Sequence, residues 1–147
     1  MEQDAEKKIL HESLSKIVVD AFFSSDDDVL AGIIGVYDAM QGVNVNTESN
    51  TTRFNRGVQF EFMVTEMRSD NTRTKAQEGE AAQFEFYTIE PNNGIVADYY
   101  RSFYNVIFRA NTVLANLGVA SPENALAFEA EAKFVRAYAY FNLVRLF

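Results

Sequence analysis

Apolar side chains recur every three or four residues in two stretches near the start of the chain, the spacing of one face of an α-helix. Between residues 7 and 23 that face is Leu10, Leu14, Ile17, Val18 and Ala21. From about residue 29 to 41 it is Leu30, Ile33, Tyr37 and Met40. Residues 24–28 (SSDDD) supply the hydroxyls and carboxylates that cap a helix start. Both stretches are therefore predicted to be helices.

Two glycines lie inside the second predicted helix. Gly32 and Gly35 each cost about 1 kcal/mol relative to alanine in a helix interior. We interpret them as positions where another backbone approaches closely.

The middle of the chain is less regular. Residues 42–56 are rich in Asn, Thr and Ser and are predicted to form an exposed loop. Residues 57–68 fit both strand and helix spacing, with helix preferred, and residues 69–82 are predicted to form a second polar loop. Phe84, Phe86 and Ile89 alternate with other residues, which predicts a short extended segment ending at Pro91.

The second half predicts two long helices. From residue 95 to 117, one face carries Tyr99, Phe103, Val106, Ala110, Val113 and Leu117. The other helix, residues 122–147, starts after Ser121 with a proline in its first turn. Its last 14 residues, FVRAYAYFNLVRLF, have only three strongly polar side chains. A helix that is apolar on nearly all sides must be buried, so its covering partner is expected to be further polypeptide or another subunit.

Composition excludes several functions. The 147 residues include no Cys and one His, so disulfides, thiolate zinc sites, a cysteine nucleophile and a two-histidine metal motif are ruled out. A net charge of -8 argues against nucleic-acid binding. No apolar stretch reaches the roughly 20 residues that cross a bilayer. Asp26, Asp27 and Asp28 do not form a calcium loop, because Ala31 and Tyr37 occupy its glycine and glutamate positions. No catalytic motif is present, so we expect neither an enzyme nor a metal or other cofactor.

A family resemblance rests on two segments. YRSFYNVIFRANTVLANL (100–117) and EAEAKFVRAYAYFNLVRLF (129–147) resemble the SusD/RagB family of outer-membrane nutrient-binding lipoproteins, whose members show a helix with "Y..I..AN..L" followed by one with "EA.F.RA..YF.LV..F". AGIIGVYDAM (31–40) is similar to an early helix of the family, and MRSDN (67–71) to its Ser-Asp loop. The resemblance covers most of residues 26–147.

The resemblance implies an all-α fold with tetratricopeptide-like helix pairs, expected here as a single domain over residues 1–147, with four to six helices and long polar loops. It implies the N-terminal portion of a longer non-catalytic protein. Such a protein would be a peripheral lipoprotein of the outer membrane that captures glycans or other nutrients for a TonB-dependent, SusC-like transporter. The sequence departs from the family pattern because it has no lipidated Cys, no Gly-Asp-x-Pro-like segment and no Trp.

Candidate ligand residues come from two loops. Phe84 and Tyr87 beside Asn92 and Asn93 would combine stacking faces with amides suited to sugar hydroxyls. Asp70 and Arg73 lie in the segment similar to the family's Ser-Asp loop, which in relatives lies near the ligand groove. The helical aromatic set, Tyr99, Tyr100, Phe103 and Tyr104, could also stack on sugar rings, but its spacing favours the core.

A second function stays open from the sequence. The chain could be a free-standing helical interaction module that dimerises through its last helix and binds a protein rather than a sugar. In either case the isolated chain is expected to self-associate through residues 122–147, because that helix would expose more apolar surface than monomers usually tolerate.

Overall fold

The computed structural model describes residues 21–41, 44–45, 53–54, 57–69, 71–75 and 78–147. The helix predicted for residues 7–23 lies almost entirely outside these ranges. The described part contains five α-helices: α1 (Asp26–Met40), α2 (Gly57–Thr65), α3 (Ala82–Glu85), α4 (Gly94–Ala115) and α5 (Pro122–Val144). Short 3-10 turns follow α2 (Glu66–Arg68) and α4 (Leu117–Val119). The predicted all-α class is confirmed.

Residues 42–56 were predicted to be loop, and the structure adds one small feature there. Strand β1 (Asn44–Val45) pairs antiparallel with β2 (Arg53–Phe54), so that Asn44 lies opposite Phe54. A strand of two residues is too short to be recognised from the alternation of apolar and polar residues. The helix preferred for residues 57–68 is confirmed as α2 and its 3-10 turn.

Helix α1 begins with the predicted cap. The Ser25 hydroxyl accepts a hydrogen bond from the Asp28 backbone N–H at 3.4 Å. The Asp28 carboxylate in turn accepts from the hydroxyls of Ser24 and Ser25 at 2.7 and 2.8 Å, which holds the pKa of that carboxyl below its usual value. Polar groups of residues 24–28 thus stabilise the start of the helix.

The predicted face of α1 is confirmed at Ile33 and, with partial burial, at Met40, but it is wrong at its other two positions. The helix buries Val29, Ile33, Val36 and Ala39, whereas Leu30 and Tyr37 are more than two-fifths exposed. Both sets step by three and four residues, because α1 is apolar on almost every side. Which face is buried depends on the contacts that α1 makes with α4 and α5. The sequence of α1 alone does not predict these contacts.

Gly32 allows α1 to pack closely, although the neighbour is not a backbone as predicted. A methyl group added at Gly32 would lie 2.9 Å from Cε1 of Phe23 and 3.0 Å from Cγ2 of Val113. At Gly35 the nearest atom to such a methyl would be Nη1 of Arg109, at 3.9 Å. Side chains, not main chain, therefore approach both glycines.

Helices α4 and α5 form the centre of the core. The predicted face of α4 is confirmed, since Tyr99, Phe103, Val106, Ala110 and Val113 are buried. Helix α5 contributes Ala132, Val135, Ala139 and Leu143. Burying a large apolar side chain of this kind contributes about 1.5–3 kcal/mol, so this interface contributes strongly to the stability of the fold.

Asp26 ties the first turn of α1 to the start of α5. Its carboxylate accepts from the Ser121 backbone N–H at 2.6 Å, the Ser121 hydroxyl at 2.7 Å and the Asn124 amide at 2.8 Å. These hydrogen bonds lower the pKa of the Asp26 carboxyl. Ser121 precedes α5 as predicted, but its hydroxyl donates to Asp26 instead of accepting from the helix.

A polar junction, buried at Asn142 and Tyr99 and partly exposed at Arg145 and Glu61, joins α2, α4 and α5. Oδ1 of Asn142 accepts from the Tyr99 hydroxyl at 3.3 Å and from the Arg145 guanidinium. Arg145 also pairs with the Glu61 carboxylate at 3.1 Å, and the Tyr138 hydroxyl donates to the same carboxylate at 3.1 Å. The Asn142 side chain is fully buried, so its hydrogen bonds lie in a weakly screened environment.

This junction predicts alkaline destabilisation. Burial, followed by the nearby Glu61 carboxylate, raises the pKa of the Tyr99 hydroxyl from 10.0 to about 12. Because the folded pKa lies above the unfolded one, the neutral hydroxyl contributes its full stabilisation below pH 10, and that contribution is lost as the pH rises towards 12. The urea midpoint is expected to fall less with pH in Tyr99→Phe than in the unsubstituted protein. If the urea midpoint fell equally with pH in both proteins, the Tyr99 hydroxyl would not be the group responsible.

Candidate functional site

The loop residues predicted to bind ligand have different environments. Asp70 lies outside the described residues. Arg73 and Asn92 are exposed, as is Tyr87. Phe84, by contrast, is only 1% exposed and belongs to the core, so it presents no ring face on the surface of the loop. That part of the prediction is wrong.

The segment around Phe84 is not extended as predicted. Residues Ala82–Glu85 form the single turn of α3, which buries one aromatic side chain while the next two remain exposed. Gln83 carries the hydrogen bonds that fold this segment: its backbone carbonyl accepts from the Thr88 N–H at 3.0 Å, and its side-chain oxygen accepts from the Glu90 N–H at 3.2 Å. Such contacts have no periodic signature in the sequence.

Asn93 is a helix cap. Its Oδ1 accepts from the backbone N–H groups of Ile95 and Val96 at 3.0 and 3.1 Å. Its Nδ2 donates to the Glu80 carbonyl at 3.0 Å and to the Gln83 side chain at 2.7 Å. All four hydrogen bonds available to a primary amide are therefore made within the protein. The prediction that this amide faces a sugar hydroxyl conflicts with these bonds, and Asn93 instead stabilises the start of α4.

The loops of Arg73 and Tyr87 are connected. The Glu85 carboxylate accepts from the Thr74 backbone N–H at 2.8 Å and its hydroxyl at 3.0 Å. The Tyr87 hydroxyl donates to the Arg68 carbonyl, and Tyr87 adopts a φ of +56°, which is uncommon outside glycine. The structure thus brings the two predicted loops to one side of the molecule and fixes the position of an exposed tyrosine there.

A second group of exposed aromatic side chains lies on α4. The rings of Tyr100 and Tyr104 are 4.4 Å apart between centroids and tilted by 38°, and the two residues are 44% and 45% exposed. Phe147 meets Tyr100 edge-on at 5.4 Å. We call Tyr100, Tyr104 and Phe147 the aromatic face. The sequence favoured the core over sugar stacking for both tyrosines, together with Tyr99 and Phe103. One sequence signal could have separated the two pairs. Tyr100 and Tyr104 are four residues apart on the helix, and each lies one position after a buried residue, so they share a neighbouring face.

A small cavity adjoins the aromatic face. It measures about 190 Å³, and it is lined by Val64, Arg68, Phe84, Ile89, Val96, Tyr99, Leu146 and Phe147. Phe147 belongs to both the cavity wall and the aromatic face. Ligand pockets usually occupy roughly 300–1,000 Å³, so this cavity suits one group of a larger ligand lying across the surface.

The described residues offer no basis for a metal centre. Within them, no group of three or more His, Asp or Glu side chains could hold a metal ion. None of their helices is long and apolar enough to cross a membrane. The arrangement of the aromatic face and cavity supports binding by stacking and shape.

Comparison with known proteins identifies the class and then the family. By its fold the chain is an all-α protein. Residues 11–147 match the SusD-like family described as starch-binding and associating with the outer membrane, and the chain belongs to that family. The resemblance drawn from the helical motifs is confirmed.

A curated relative is much longer than this chain. The chain is 29% identical over 132 residues to SusD-like protein P2 of Formosa agariphila, in an alignment covering 87% of this chain and 24% of the relative. The chain therefore spans about a quarter of the length of that protein. No solved structure matches the chain.

Proposed function

We propose that this chain is one helical part of a non-catalytic glycan-binding component of an outer-membrane uptake complex. Membership of the starch-binding SusD-like family supports the ligand class, because the family match covers residues 11–147. The chain's share of its relative supports a longer parent protein. The partner in this proposal is a SusC-like, TonB-dependent transporter, and the parent protein is a peripheral lipoprotein facing outward.

The exposed tyrosine pair is the observation that carries the binding proposal. Sugar rings present C–H groups on one face, and these groups complement the negative face of an aromatic ring. Tyr100 and Tyr104 together form a broad ring surface whose hydroxyls can also exchange hydrogen bonds with sugar hydroxyls. Arg68 lines the adjoining cavity and adds a polar residue to the proposed site. An extended glucan lying across the face would thus find both stacking and polar partners.

The two predicted loops extend the proposed site. Tyr87 is exposed and held through Arg68, which also lines the cavity. Arg73 lies in the loop that Thr74 ties to α3. We propose that Tyr87, Asn92 and Arg73 make secondary contacts with the same ligand, whereas Phe84 and Asn93 act only by shaping the site. Asp70 stays in the proposal on the strength of the family resemblance.

Removing the tyrosine pair is expected to weaken glucan binding about tenfold, since each aromatic stacking contact is worth about 0.5–1.5 kcal/mol. The measurement is affinity electrophoresis of the chain in native gels containing increasing amounts of soluble starch. The variant carries Tyr100→Ala and Tyr104→Ala. Its matched control is Tyr37→Ala combined with Phe108→Ala, which removes two exposed rings from α1 and α4 outside the aromatic face.

Two results would contradict the proposal. Unretarded migration of the unsubstituted chain in starch and in other neutral glucans would remove glycan binding from this part of the protein. Equal retardation of the tyrosine variant and the unsubstituted chain would show that binding occurs away from the aromatic face.

A further inference from the structure

The chain contains one Asn-Gly sequence, Asn93–Gly94, where α4 begins. An Asn-Gly pair can deamidate without an enzyme. The backbone nitrogen of the glycine loses its proton to a solvent base and bonds to Cγ of the asparagine, and the side-chain nitrogen leaves as ammonia. Water then opens the cyclic imide to aspartate or to isoaspartate. Glycine favours the reaction, because it has no Cβ to obstruct the attack and its backbone rotates freely.

We propose that Asn93 is a conditional modification site, which the folded protein protects and which deamidates when the segment of residues 80–93 opens. The Glu80 side chain is the main protecting group. This inference does not depend on the proposed glycan binding, because it concerns a reaction between two residues of the chain itself.

The backbone at Asn93 prevents ring closure in the folded protein. The five-membered imide requires the Gly94 nitrogen to lie nearly eclipsed with Cβ of Asn93 about the Cα–C bond. At the observed ψ of 117° these two atoms are rotated well away from each other. Bringing them together turns the peptide group between the two residues and therefore breaks the first turn of α4. Asn93 is also only 2% exposed, which keeps the water needed for the second step away from it.

Hydrogen bonds to the two reacting nitrogens hold this geometry. The Gly94 N–H, which contains the attacking nitrogen, donates to Oε1 of Glu80 at 2.8 Å. Nδ2 of Asn93, the leaving group, donates to the Glu80 carbonyl at 3.0 Å and to Oε1 of Gln83 at 2.7 Å. The bond to the Glu80 carboxylate is charge-assisted and hence the strongest of the three. It opposes the rotation of the peptide group that ring closure needs.

The segment that has to open is held by few buried side chains. Of the described residues 78–92, only Ala82 and Phe84 are buried. Local opening requires less free energy where few apolar contacts and hydrogen bonds must be broken. The hydrogen bonds of Glu80, Gln83 and Asn93 therefore contribute much of the free energy that keeps this segment closed.

Deamidation would prevent the segment from closing again in the same way. An aspartate at position 93 has no N–H donor, so its new oxygen would face the Glu80 carbonyl and the Gln83 side-chain oxygen, which are both acceptors. An isoaspartate adds a methylene group to the main chain and displaces the cap from the backbone N–H groups of Ile95 and Val96. Either product loses bonds that the amide makes.

Mass spectrometry of the tryptic peptide 76–101 measures the reaction during incubation of the folded chain at mildly alkaline pH. We expect Glu80→Ala to deamidate at Asn93 about tenfold faster than the unsubstituted chain, since removing a hydrogen bond to a charged group shifts the opening equilibrium by about that factor. Glu80→Gln keeps an oxygen acceptor and is expected to react at an intermediate rate. Glu78→Ala is the matched control, because it removes an exposed carboxylate from the same segment.

Incubation in urea above the unfolding midpoint gives the rate without protection. There the four proteins are expected to deamidate at one rate, well above that of the folded unsubstituted chain. This comparison separates an effect on the folded structure from an effect of the substitution on the chemistry itself.

Three results would overturn the proposal. If the folded and the urea-unfolded chain deamidated equally fast, the fold would give no protection. If Glu80→Ala and Glu78→Ala reacted at the same rate when folded, Glu80 would not be the protecting group. If Glu80→Ala reacted more slowly than the unsubstituted chain, the carboxylate would act as a base that promotes the reaction, which is the opposite role.

Discussion

Replacing Phe103 by alanine is expected to lower the free energy of unfolding by about 3–5 kcal/mol, the usual cost of removing a buried aromatic ring from a core. Phe103 is 2% exposed in the middle of α4. Its ring centroid lies 4.6 Å from that of Tyr99 and 6.2 Å from that of Tyr138 on α5. Truncation would therefore leave a cavity between the two helices that form the centre of the core, and it would remove two aromatic contacts.

The matched control lies five residues further along the same helix. Phe108 is 67% exposed, so Phe108→Ala is expected to change the free energy of unfolding by no more than about 0.5 kcal/mol. Urea denaturation followed by circular dichroism at 222 nm measures both variants, and it avoids reliance on Trp fluorescence, which the chain lacks. Similar losses in the two variants would show that the α4–α5 interface is not the centre of the core.

The contrast between Phe103 and Phe108 also shows why α4 could be predicted well. Polar residues alternate with apolar ones around this helix, so its sequence distinguishes one face from the other. Helix α1 lacks that contrast. Its apolar residues surround the helix, and the observed choice of Val29 and Val36 over Leu30 and Tyr37 depends on where α4 and α5 lie. Packing against helices distant in the sequence therefore determines the buried face of α1, and local periodicity does not predict it.

The candidate site was harder to predict for a related reason. Phe84 and Asn93 are residue types that occur in glycan sites. In this protein Phe84 is buried in the core, and Asn93 makes four hydrogen bonds within the fold. Tyr100 and Tyr104 were grouped with Tyr99 and Phe103, and the helical spacing of the whole set favoured the core over stacking on a sugar. A step of one residue on a helix turns a side chain by roughly 100°, which separates a buried ring from an exposed one.

The buried junction around Asn142 gives the second large expected effect. Asn142→Leu keeps a side chain of similar size but removes the acceptor for the Tyr99 hydroxyl and for Arg145. Tyr99 is fully buried, so its hydroxyl would lose its partner without gaining water, at a cost of about 1–3 kcal/mol. Loss of the Arg145 contact, which helps join Glu61 of α2 to α5, adds to this cost.

Asn105→Leu is the control for this variant. It distinguishes the cost of losing hydrogen bonds from the cost of placing a leucine in the helix. Asn105 lies on α4, and its buried Nδ2 has no hydrogen-bond partner in the described part of the chain. Replacing it removes an unsatisfied donor, so the free energy of unfolding is expected to stay unchanged or to rise slightly. Urea denaturation at neutral pH should therefore place Asn142→Leu well below the unsubstituted protein and Asn105→Leu at or above it. If both variants lost the same stability, the cost would come from fitting leucine into α4 and α5, and the Asn142 junction would contribute little to holding α2, α4 and α5 together.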